Sequence, residues 1–183
     1  MQILRKWRLK KAWHQELKAG LLPVHDRLAQ ESLDLAASGD LQLPDDFNVR
    51  FEVMLLLISR VLWLLKSVDG PDSPRVQTLW DLTFEGFDQS LRSRGVTDMG
   101  MSRRMRKLLG HATGRRNAYI AALEKADRTA LMEAISRNCL NGASPEDARV
   151  ALLLDHLEKI PALLAETGLS LEQPCLPFPG KTG

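Results

Sequence analysis

Along this chain apolar residues recur at spacings of three and four, while alternating apolar and polar runs bounded by turn residues are hard to find. That periodicity predicts an all-α protein. Helical segments are expected at roughly residues 3–19, 22–38, 47–67, 75–94, 102–124, 127–140 and 145–167. This makes a single helical domain of about six to seven helices, and the segment near 47–67 is its buried central helix. The stretches SGDLQLPDD and DGPDSP read as loops, and Ser102, Asp127 and Ser144 followed by Pro145 read as helix starts. The C-terminal QPCLPFPGKTG is too rich in proline and glycine to continue a helix, so it frays or drapes over the surface.

Two segments stand out. FEVMLLLISRVLWLL, Phe51 to Leu65, is the strongest apolar run, but it is shorter than the roughly 18 residues of a membrane span and carries Glu52 and Arg60. It reads as a core helix. In the next segment Val76, Leu79, Trp80, Phe84, Phe87 and Leu91 fall on one side, while Asp81, Glu85, Asp88 and Arg92 line the other. The apolar side faces the core or a client.

Charge changes the picture locally more than globally. The formal net charge is only +2, yet residues 1–15 hold Arg5, Lys6, Arg8, Lys10 and Lys11 without an acid. Residues 99–123 hold Arg103, Arg104, Arg106, Lys107, Arg115 and Arg116, again without one. Between them Asp26 to Glu52 is acidic. Such blocks read as solvated faces or as surfaces for anionic partners. Trp7 and Trp13 among the cations of the arm suit an anionic membrane surface, although the apolar residues there spread over a wide arc. Cys139 and Cys175 lie far apart, in no C-x-x-C pair, which argues against a disulfide framework and for a reducing compartment. With 44% hydrophobic and 26% charged residues the composition is that of a globular chain with its own core.

Catalytic and metal signatures were sought. GVTDMGMS has the glycines and serine of a phosphate loop, but Met101 stands where the lysine belongs, no strand precedes it, and Asp98 would repel phosphate. His14, His25, His111 and His156 are isolated and form no metal-ligand pattern. Serines sit where helix capping explains them. The reading is of a protein that is not an enzyme and needs no cofactor. The turn at Gly95 before Arg103, Arg104, Arg106 and Lys107 does resemble the second half of a helix-turn-helix, which leaves a nucleic-acid-binding adaptor or regulator as the alternative. Base-reading Asn, Gln, Ser or Thr are scarce beside those arginines, so sequence-specific DNA binding is not expected. Gly110 and Gly114 inside this basic segment suggest a close helix neighbour or a kink.

LPDDFNVRFEVMLLL, LWDLTFEGFDQSLRSRGVTDMGMSRRMRKLLGHATGRRNAYIAAL and ISRNCL together resemble the ubiquinol-cytochrome c chaperone family, from about Pro44 to Asn138. The resemblance rests on Pro44-Asp45, Arg50-Phe51-Glu52, Asp81, Asp88, Leu91-Arg92, Gly95-Val96, Asp98, Gly114-Arg115, Tyr119 and Arg137-Asn138. Leu57 and Ser93 depart from it, where histidine and glutamate are expected. It implies an assembly chaperone for the cytochrome bc1 complex, complex III, with newly made cytochrome b as client. Mitochondrial members work at the ribosome exit, so the ribosome, an anionic membrane surface and a second assembly factor are the further partners implied.

On this reading residues 1–43 form a basic arm and helices, 44–168 the chaperone-like domain and 169–183 a flexible tail. Phe51, Leu55, Trp80, Phe84 and Phe87 are expected to bind the client. Arg50, Glu52, Asp81, Asp88, Arg92, Asp98, Arg115, Tyr119, Arg137 and Asn138 are expected to form a structural polar network, part of it fixing the corner at Gly95. Arg103, Arg104, Arg106, Lys107 and Arg116 are the expected basic docking surface. The short chain, without a mitochondrial type of leader, fits a bacterial member in the cytoplasm, peripheral to the inner membrane.

Overall fold

The structure is a computed structural model that describes residues 2–93, 95, 98–172 and 175, without the side chains of 2–5, 98–100 and 102. Six helices follow one another: α1 Gln2–Ala37, α2 Phe47–Asp69, α3 Pro74–Ser93, α4 Asp98–Glu124, α5 Arg128–Cys139 and α6 Ala148–Glu166. No strand occurs among the described residues, and the helices make one all-α domain.

The core is arranged around α2. Its start is fixed by Asp46, whose carboxylate accepts the N–H groups of Asn48 at 2.8 Å and Val49 at 3.0 Å, satisfying two donors that the first turn leaves open. Its end is Gly70 at φ 89°, a left-handed position that a side chain would strain. Between these caps Val53 to Ile58, Val61, Leu62 and Leu65 are all buried, and α1, α3, α4, α5 and α6 each pack on them. Ser59 is tolerated at this depth because its hydroxyl donates to the Leu55 carbonyl at 2.6 Å.

The first two predicted helices are one. Pro23 has no N–H to offer the Ala19 carbonyl, which costs about 3 kcal/mol in a helix interior. Leu21, Val24, Leu28 and Leu35 lie on one stripe against α2 and α3 and are at most 4% exposed, at roughly 1.5–3 kcal/mol each. Burial therefore carries the helix through the proline. Lys6 to Gly20 include no buried residue, although Leu17 packs against the core and Lys18 pairs with Glu85 of α3; in the basic stretch before them Trp7 is 60% and Leu9 50% exposed.

Two other starts differ from expectation. The helix expected from Ser102 begins at Asp98, directly after the turn at Gly95, where φ is 80°. The helix expected from Pro145 begins at Ala148, because Asp147 takes the capping position by accepting the Arg149 N–H at 2.9 Å. Asp127 caps α5 as expected, through the Ala130 N–H at 2.9 Å. The close neighbour inferred from Gly110 and Gly114 is absent: both glycines are exposed, α4 runs unbroken past them, and a Cβ on either would meet no heavy atom within 4 Å.

Part of the C-terminal segment is held to the body. Asp69, at the end of α2, accepts from the Arg75 guanidinium, from Ser73 and from the Cys175 N–H at 2.8 Å, while Arg75 donates to the Ser170 carbonyl at 3.0 Å. Burial alone would raise the Asp69 carboxyl, but these hydrogen bonds hold it below its ordinary value. The remainder of the predicted tail lies outside the described residues.

Gly110→Ala and Gly114→Ala are expected to raise stability by about 0.5–1 kcal/mol each in urea unfolding, since nothing stands against the added methyl. Asp69→Ala is expected to cost about 3–5 kcal/mol by stranding Arg75. Because the folded carboxyl titrates lower than the unfolded one, its stabilisation is present above about pH 4 and is lost as pH falls through the folded value. The loss on acidification should therefore be smaller in Asp69→Ala than in the wild type.

Candidate client groove and its cationic border

An aromatic row crosses from α2 to α3. Phe47 and Phe51 stack with centroids 6.0 Å apart, Phe51 meets Phe87 at 4.8 Å, Phe87 meets Phe84 edge-on at 5.7 Å, and Phe84 meets Trp80 at 5.0 Å. The spacing of Trp80, Phe84 and Phe87 by four and three puts them on one side of α3, and edge-to-face contacts of this kind add about 0.5–1.5 kcal/mol each beyond area burial. Where α1 closes over the row a cavity of about 200 Å³ remains, lined by Phe47, Phe51, Met54 and Phe87 and by Leu33 of α1. Gly86 sets the approach of α1, for a Cβ there would lie 3.0 Å from the His25 ring.

A larger open cavity of about 510 Å³ adjoins it and shares Phe47. Its apolar lining is Phe47, Leu91 and Leu108; its border is Arg104, Lys107 and His111, which the spacing of three and four aligns on one exposed stripe of α4. Arg103 and Arg106 are exposed beside them. Arg116 is elsewhere. It lies half-buried with its guanidinium 4.5 Å from the Trp80 ring centroid, and burial lowers its pKa.

The predicted client residues thus take different positions. Phe51 and Phe87 line the smaller cavity, Phe84 is half-buried beside it, Trp80 lies under Arg116, and Leu55 is 0% exposed within the core. Sequence reasoning missed Phe47, Met54, Leu33 and Gly86. Phe47 carries a readable signal, an aromatic directly after the capping Asp46; the others depend on how α1 crosses α3, which periodicity does not reveal.

The expected polar network divides into separate contacts. Glu52, Arg115, Tyr119 and Asn138 gather between α2, α4 and α5, and Cys139 joins them. Arg115 Nε lies 2.8 Å from Glu52 Oε2 at an angle outside that of a hydrogen bond; the Tyr119 hydroxyl is 3.6 Å from Cys139 Sγ and bonds Asn138. Arg115 is therefore directed at α2 and not at the Gly95 corner. Arg50 pairs with Asp45 at 2.6 and 2.7 Å, Asp81 accepts from Gln77 at 2.7 Å, Asp88 pairs with Arg92 at 2.7 Å, and Arg137 is exposed at the end of α5. The Asp98 side chain lies outside the described residues.

Burial pushes the Glu52 carboxyl up to about 7 against the opposing charge of Arg115. It also pushes the Cys139 thiol up to about 12, so that this sulfur is a packed thiol and not a nucleophile at neutral pH. Among the described residues no three His, Cys, Asp or Glu side chains are grouped to hold a metal ion. No described helix is long and apolar enough to cross a membrane.

The domain thus presents an open aromatic groove beside a cationic border. Its fold is similar to that of the Cbp3 homologue from Brucella abortus, with a TM-score of 0.66 and 26% identity over 97% of this chain and 98% of that one. No curated protein matches the chain. The ubiquinol-cytochrome C chaperone family model matches residues 39–167, which include the lining of the larger cavity and the α2 and α3 walls of the smaller one, and the chain belongs to that family.

Glu52 gives this site a pH signature. Its folded value of about 7 exceeds the ordinary 4.5, so its contribution to stability is complete below about pH 4.5 and is lost as pH rises through about 7, by up to ~3 kcal/mol. Urea unfolding across that range should show the decline in the wild type and a flatter profile in Glu52→Gln. Equal slopes would show that Glu52 is ionised throughout.

Proposed function

We propose that this protein is a non-enzymatic assembly chaperone for the ubiquinol-cytochrome c reductase. Its aromatic groove holds an apolar segment of newly made cytochrome b, and the cationic stripe of α4 docks the chaperone at the ribosome or at the anionic surface of the inner membrane, on the cytoplasmic side. A second assembly factor is a further partner on this reading. The observation that carries it is the family match over 39–167, which spans every residue of the groove contributed by α2 and α3 and the whole α4 stripe. The geometry supports it: a shallow aromatic surface shelters apolar helix side chains, whereas exposed Arg103, Arg104, Arg106 and Lys107 suit phosphate-rich surfaces. Phe51, Phe84 and Phe87 are the proposed client contacts, with Phe47 and Leu33 added. Leu55 and Trp80 support them from beneath.

Deleting the gene is expected to lower assembled bc1 complex and cytochrome b haem absorbance while cytochrome b transcript stays level. Normal assembly in the deletion strain would refute the proposal. Replacing Arg103, Arg104, Arg106 and Lys107 by glutamine is expected to change stability by less than about 0.5 kcal/mol per exposed site. The variant should no longer co-sediment with ribosomes or anionic vesicles at low salt and should fail to restore assembly. Full restoration would remove the stripe from docking. Salt-sensitive binding to duplex DNA with sequence preference would instead favour a regulator.

A further inference from the structure

Arg60 interrupts the apolar run of α2. Its guanidinium lies 4.5 Å from the Trp63 ring centroid, one helical turn on. Its Nε is shut off from solvent with no hydrogen-bond partner, and Arg60 forms no ion pair among the described residues. The acid whose charge bears on it, Glu158, lies 3.5 Å from Arg128, and both of those side chains are exposed. A cation desolvated in this way opposes folding unless something pairs with it.

The guanidinium and the Trp63 ring line a cleft of about 280 Å³ between α2, the α4–α5 corner and α6, with Leu123, Leu131, Leu154 and Leu157 as its apolar walls and Asp127, Arg128 and Glu158 as its other charged groups. Asp127 is engaged in capping α5 and Glu158 faces Arg128, so Arg60 is the charge left without a close partner. The chemistry of the walls restricts the occupant. A neutral apolar group would leave the guanidinium unpaired, a cation would not pair with it, and a phosphate would set several oxygens against leucine and more negative charge beside Asp127 and Glu158. A single carboxylate on an apolar chain satisfies both parts, accepting from guanidinium N–H groups that face the cleft while its chain covers the leucines. We propose that this cleft is a binding site for an apolar carboxylate, separate from the aromatic groove.

Octanoate and the dipeptide N-acetyl-leucyl-leucine carry that chemistry on a fatty chain and on a peptide end, and octanol lacks the carboxylate. Titrated into the whole protein, at least one of the two acids should shift the Arg60 side-chain and Trp63 indole resonances saturably, and octanol should not. Arg60→Met should weaken that binding by about tenfold or more, ~1.4 kcal/mol. It should also melt at the same or a higher temperature, because the substitution removes a buried charge without a partner. The tighter of the two acids identifies the source of the carboxylate. The absence of saturation by either acid up to about 10 mM, a weak-ligand limit of about 2.7 kcal/mol, or equal shifts with octanol, overturns the proposal whether or not the Met variant folds.

Discussion

Everything in this fold depends on the burial of α2 on nearly all sides. A helix buried on one stripe needs one partner; a helix that buries Val53 to Ile58 in succession needs neighbours all round, and the remaining five helices provide them. The rest of the architecture answers that demand. α1 runs through Pro23 because its stripe is needed against α2, and the short link to α3 is held by the pair of Asp69, at the end of α2, and Arg75, at the start of α3. The groove forms where the demand ends. Towards the start of α2 the leucines give way to Phe47, half-buried, and Phe51, buried, whose rings line a space left between α2, α1 and α3.

Two charges inside α2 cut against this logic, and they are treated differently. Glu52 faces Arg115 across to α4 and is held near neutrality by burial, so one proton can relieve the cost of its charge. Arg60 has no such release, because guanidinium stays protonated, and the π face of Trp63 and the charge of Glu158 compensate it without a direct ion pair. A leucine at either position would continue the apolar run without those costs. Glu52 joins three helices at one point, which gives it a packing role; Arg60 forms no ion pair among the described residues, which is why its cleft is the place to look for a ligand.

What the sequence shows and what it hides follow from the range of the forces involved. The all-α class, the central helix and the wet face carrying Asp81 and Glu85 are set by local periodicity and could be read directly. The continuity of α1 could not, because Pro23 is a local signal overruled by contacts with helices distant in sequence. The two exposed glycines of α4 mislead for a related reason: glycine marks close approach only where a neighbour exists, and here none does. At the groove, spacing identified the aromatic side of α3, but not that Arg116 covers Trp80 or that Leu55 lies 0% exposed. Those facts belong to how α4 and α1 are placed on the core.

The proposed client site joins two kinds of surface, and the join affects what it can discriminate. Apolar contact with Phe47, Phe51 and Phe87 favours any hydrophobic helix and is indifferent to its direction. Charge is not indifferent. Cations border the cavity that shares Phe47, through Arg104, Lys107 and His111, whereas the exposed face of α3 carries Asp81 and Glu85, the latter paired with Lys18 at 2.6 Å. A helix whose two flanks differ in charge would therefore lie in one direction in preference to the other, and a helix with cationic flanks at both ends would be opposed beside α4. Loose apolar affinity with charge-selected orientation suits a chaperone, which must hold its client firmly enough to prevent aggregation and release it unchanged.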